Sequence, residues 1–126
     1  MAQTADESYE LARAHLERVQ VSSWGDPVDW ADLSMYGFYC LEACVVAAAL
    51  HLGQERPSGH REKVETADSL AAEQNLPDIW DLLRDLNDMR KHEAYGDVDP
   101  PEGLDAEEVA GAIEEYVDSV GALLQS

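Results

Sequence analysis

The chain has 126 residues, of which 27 are Asp or Glu and 8 are Lys or Arg, for a formal net charge of −19. That length makes one domain with a core of its own, and an apolar fraction of 45% excludes a chain disordered throughout. The charge disfavours contact with nucleic-acid phosphates or an anionic membrane. It leaves three settings open: a basic partner, high salt, or a solvated acidic surface with no partner.

The N-terminal helix is predicted over 4–20. Thr4-Ala-Asp-Glu7 reads as a capping box, in which the threonine oxygen meets the third amide and the glutamate reaches back. Leu11, Ala14 or His15, Arg18 and Val19 then form one loose apolar face, and Ser22-Ser-Trp-Gly25 ends the element. Asp26-Pro27 restarts helix, aspartate at the cap and proline in the first turn, where a missing amide costs nothing.

From Val28 to Leu52 apolar residues fall on almost every side, among them Trp30, Leu33, Phe38, Leu41, Val45 and Ala48. A helix apolar all round is expected to be buried at the centre of a domain. Its run Tyr36–Leu50 contains Glu42 and is expected to be too short to span a bilayer. Gly53 closes it, and Arg56-Pro-Ser-Gly59 makes a loop.

Ser58 is the expected cap of a helix over His60–Gln74, with Val64, Ala67, Leu70 and Ala71 inward, broken at Asn75-Leu-Pro77. Asp78 caps the next, whose stripe is Ile79, Leu82, Leu83, Leu86, Met89 and Arg90 and whose stop is Tyr95-Gly96. An acidic loop at 97–103 precedes a last helix started by an Asp105/Glu108 box and a Leu104/Val109 staple. That helix buries Val109, Ala112 or Ile113, Tyr116, Val120 and Leu123 or Leu124. With no alternating pattern anywhere, the fold class is all-α: an up-and-down bundle of four main helices over 27–124 plus the N-terminal helix, one domain spanning 1–126.

Cys40 and Cys44 stand four apart on a helix, a poor geometry for a disulfide, and read as reduced core thiols, which suits the cytoplasm. The N-terminal MAQTADESYE lacks the basic and apolar regions of a signal peptide. None of His15, His51, His60 or His92 has a Glu three residues before it, so the di-metal bundle pattern is absent. Cys40 and Cys44 with His51 offer zinc a partial site only, and no glycine-rich phosphate loop is present. Neither metal nor cofactor is expected.

Two features carry chemistry. Glu42 lies in the most apolar run and must find a partner, Arg90 or Arg84 by expectation, either as a register-fixing ion pair or as an orienter of a catalytic arginine. The second is Arg84–Gly96, beyond which the chain has no Lys or Arg after Lys91. Within it His92 falls about 200° from Arg90 and about 80° from Arg84, so only the latter pair shares a face.

The order of Tyr36-Gly-Phe-Tyr-Cys-Leu-Glu-Ala-Cys, the loop ending Pro57-Ser-Gly-His60, and Leu86-Asn-Asp-Met-Arg-Lys-His-Glu-Ala-Tyr-Gly-Asp97 resembles the HEPN family of small helical bundles, over about Trp30 to Leu124. The resemblance implies a homodimer formed through the fourth-helix region and, in many members, a nucleotidyltransferase partner in toxin–antitoxin loci. In active members it also implies metal-independent RNA cleavage by an arginine and a histidine four to six residues apart. The candidate catalytic residues so implied are Arg90, Tyr95, His92 and Arg84. Four residues after Arg90 lead to Tyr95 rather than histidine, seven separate Arg84 from His92, and Val45 and Ala47–Ala49 stand where a lysine often follows the family's glutamate. Tyrosine, with a pKa near 10, is a weak base at neutral pH. The expectation is therefore an accessory or antitoxin-type binding protein. An endoribonuclease, or an acidic mimic of nucleic acid that binds a basic protein, are the alternatives.

Overall fold

The structure is a computed structural model and describes residues 4–94 and 105–126, the side chains of 92–94 excepted. Five helices pack against one another: α1 (Ala5–Ser23), α2 (Trp30–His51), α3 (Gly59–Gln74), α4 (Trp80–Ala94) and α5 (Ala106–Leu124). Among the described residues there is no strand.

Local chemistry sets most boundaries. At Thr4 the capping box forms in full, Glu7 N–H donating to the threonine hydroxyl at 3.1 Å and Thr4 N–H to the Glu7 carboxylate at 3.3 Å. The cap of α2 is Asp29 rather than Asp26, its carboxylate accepting from Asp32 N–H at 3.0 Å. Leu52 caps the other end, and Gly53 takes a left-handed φ of +76° that a side chain would strain. Ser58 precedes α3 without capping it; its hydroxyl and amide both go to Glu62. Asp78 accepts from Trp80 N–H at the head of α4, and Asp105 from Glu107 N–H at the head of α5, one residue earlier than a capping box requires. Leu104, Gly96 and the 97–103 loop lie outside the described residues.

α2 touches all four other helices, and α1 makes the most extensive contact with it. The N-terminal helix thus packs on the central helix more extensively than any other neighbour does. Its inward face differs in part from expectation. Val19 is buried and His15 half-buried as expected, but Leu11, Ala14 and Arg18 are exposed, and Ser8, Ala12, Ser22 and Ser23 are buried instead. Small residues let α1 lie close to α2, and that closeness outweighs the side-chain hydrophobicity lost to solvent.

On the far side α5 buries Val109, Ile113, Tyr116, Val117 and Val120, each worth about 1.5–3 kcal/mol if aliphatic and fully buried. α4 and α5 both close onto α2 at Gly37, where an added Cβ would stand 2.8 Å from Ile113 Cδ1 and 3.4 Å from Leu86 Cδ1. Tyr9 joins α1 to α5, its hydroxyl donating to Val117 O at 3.1 Å while the phenol end covers Gly121.

The apolarity of α2 is spent inside the molecule. At 22 residues and mean hydropathy 1.6 it is longer and more apolar than the sequence run suggested, enough to cross a bilayer, yet 78% of that stretch is buried. Cys40 and Cys44 are free and buried, the Cys40 thiol lying 3.2 Å from Ala12 O. The hydrogen bond the Cys44 thiol donates to Cys40, and then burial, push its pKa well up, which makes it inert as a nucleophile.

Candidate functional site

Glu42 is 7% exposed, on the face of α2 that α3 crosses. Its partners are neither Arg90 nor Arg84. His60 Nδ1 donates to its Oε2 at 2.6 Å, and the Lys63 ammonium stands 3.7 Å from its Oε1. Both partners come from the first turns of α3, three residues apart and so on one face. The expected ion pair with Arg90 is therefore corrected to a carboxylate shared by His60 and Lys63. The spacing along α2 gives the reason: Phe38 and Tyr39 precede Glu42 by about one turn, and their rings stop Arg90 short of it.

Arg90 is half-buried on that ring shelf. Its guanidinium lies 5.1 Å from the Phe38 ring centre and 5.8 Å from that of Tyr39, and Nη2 donates to Asn87 Oδ1 at 2.9 Å. Its Nε–H is buried without a partner among the described residues. Stacking on two rings stabilises such a cation by about 0.5–2 kcal/mol and fixes its plane. His60 meets the same shelf, edge-on to Phe38 at 5.1 Å.

Arg84 takes its ion pairs elsewhere, more than half exposed and paired with Asp81 at 3.4 Å and Asp85 at 3.5 Å. Tyr95 and the His92 side chain lie outside the described residues. Of the four residues implied as catalytic, the described structure therefore places Arg90 and Arg84, on separate ion-pair and stacking networks.

Two hollows flank the Glu42–His60 pair. One, of about 190 Å³, lies between Phe38, His60, Trp80, Leu83 and Arg84. The other, of about 290 Å³, lies over Glu42 between α1, α2 and the segment before α3, and includes Ser8, His15, Tyr39, Arg56 and Lys63. Burial lowers the pKa of His15 below the usual 6.5, so its imidazole is neutral at pH 7. No group of three or more His, Cys, Asp or Glu able to hold a metal converges among the described residues.

A buried carboxylate holding a half-exposed imidazole is an arrangement that orients a base. No hydroxyl or thiol is bonded to His60 among the described residues, so the pair as it stands positions charge rather than activating a nucleophile. Sequence reasoning found the need of Glu42 for a cation but not its partners. Their only signal was the His60-x-x-Lys63 spacing, which means little until α3 is known to cross α2 at that turn. Comparison with family models, curated proteins and solved structures found no match.

Proposed function

We propose that the chain is a HEPN-like binding module that acts through protein partners, as an accessory or antitoxin-type component, rather than by cutting RNA. The observation that supports this reading is the state of Arg90. A guanidinium that stabilises a phosphorane must present its fork to the phosphate. Here the fork is turned onto Phe38 and Tyr39 and tied to Asn87. The acidic surface of a −19 chain also repels an RNA backbone and favours a basic partner. A homodimer is part of the same reading.

Incubation of purified protein at micromolar concentration with a structured RNA pool, without added metal, tests it. Intact RNA is the expected result. RNA fragments with 2′,3′-cyclic phosphate ends, lost in Arg90→Ala, would overturn it in favour of the endoribonuclease. Sedimentation equilibrium should give twice the 13.9 kDa chain mass, and a monomer at high concentration removes the homodimer.

A further inference from the structure

Trp80, in the first turn of α4, is 47% exposed and lines the smaller hollow together with Phe38, Val64 and Leu83. A lone exposed tryptophan is ordinary, but one set in a concave apolar wall is a surface that a partner can cover. The volume, about 190 Å³, lies below the range of cofactor and small-molecule sites and has room for one aromatic ring.

His60 gives the hollow a polar point. Its Nδ1 is committed to Glu42, which lies outside the hollow, while His60 itself lines it, and Nε2 has no hydrogen bond among the described residues. The buried carboxylate holds the ring in place and leaves Nε2 as the acceptor of a neutral imidazole. The rim is acidic. On α4 the lining residues Trp80, Arg84 and Asn87 are each followed by an aspartate, Asp81, Asp85 and Asp88. Arg84 divides its one charge between Asp81 and Asp85, so it has none to spare for an anion, and the group stays net negative. On α3 Asp68, exposed, stands one turn beyond Val64 and adds to it. An apolar socket for one ring inside an acidic rim complements an aromatic side chain with basic neighbours.

We propose that this hollow docks a basic segment of a protein partner, with one tyrosine inserted beside Trp80, its hydroxyl on His60 Nε2 and its Lys or Arg neighbours on the aspartate rim. A phenol suits the socket because its ring gains by burial and its hydroxyl by a polar contact at the tip, as aromatic anchors of interfaces do. The inference rests on the reading of the chain as a module for protein partners and names the chemistry of the partner. RNA cleavage would remove that reading by its own assay; failure of peptide binding with RNA left intact removes this inference alone.

Titration of the ¹⁵N-labelled full chain with a capped Lys-Lys-Tyr-Lys-Lys peptide at low salt tests the proposal. The Trp80 indole N–H and the His60 amide should shift saturably, with a submillimolar Kd, while the indoles of Trp24 and Trp30 stay in place. Alanine in place of the peptide's tyrosine should weaken binding about tenfold, phenylalanine severalfold, and glutamates in place of its lysines should abolish it. Trp80→Ala should weaken binding as much as the alanine peptide does, with the fold intact by circular dichroism. Absence of saturable shifts, equal binding of the alanine, phenylalanine or glutamate peptide, or full binding by Trp80→Ala would each overturn it. So would a Trp80 indole shift that grows with protein concentration before any peptide is added, which would give the hollow to a second copy of the chain.

Discussion

Toward α5, the helix α2 meets Ile113, Tyr116 and Val120, all fully buried, and no ion pair among the described residues; toward the start of α3 and the end of α4 it meets His60, Lys63 and Arg90. The two regions share one backbone but are held by different forces. The first excludes water and gains by area. The second keeps a carboxylate, an imidazole and two cations partly wet, where each pairing contributes little net. What distinguishes them is the incoming helix: α5 is apolar on its inner face, and α3 brings a turn with polar tips. Stability and chemistry are thus divided between two sides of one element.

The largest expected effect tests the first side. Ile113→Ala removes a side chain that fills the approach at Gly37 and should cost about 2–5 kcal/mol by urea denaturation, with the Glu42–His60 contact unchanged by NMR. A cost no greater than that of the polar-side variants would break the division. Next comes Glu42→Gln, expected to cost about 1–2 kcal/mol because Lys63 then loses its only carboxylate among the described contacts. In a double-mutant cycle with Lys63→Met the coupling should be about 0.5–1 kcal/mol, since the contact is 3.7 Å long and the lysine side chain keeps 20% exposure. A coupling of zero would reduce Lys63 to a bystander.

The smallest effect lies on the apolar side. Tyr116 is fully buried, its hydroxyl has no partner among the described residues, and burial pushes its pKa far up. Tyr116→Phe should be neutral or stabilising by up to about 1 kcal/mol in thermal unfolding, because only an unsatisfied polar atom is lost. A clear loss of stability would mean the hydroxyl has a partner and that this side is less dry than described.

The legible parts of the fold were those written locally. The Thr4–Glu7 box formed as spelled, the α4 stripe of Ile79, Leu83 and Leu86 is inward, and α5 presents the residues its period assigns. The face of α1 was misread because hydrophobicity pointed the wrong way. Leu11 and Val21 are 44% and 64% exposed, while the buried seam sets Val19 among serines and an alanine. Close approach of two helices rewards small size, and a hydrophobic count does not see size. At the site, the demand of Glu42 for a partner was readable from desolvation alone. The supply was not: His60 lies 18 residues away, and only the crossing of α3 over α2 brings it within 2.6 Å.

The central position of α2 has a consequence for how such a molecule can change. A helix enclosed by four neighbours has almost no surface of its own, so a substitution on it must be answered by another helix. The floor of the larger hollow, with Glu42, Ala43 and Val46, belongs to that helix and is held fixed by its surroundings. The rim is less enclosed: Lys63 sits on α3 and Arg56 on the segment before it. Variation on this scaffold is therefore expected at the rim of the hollow before it reaches the central helix.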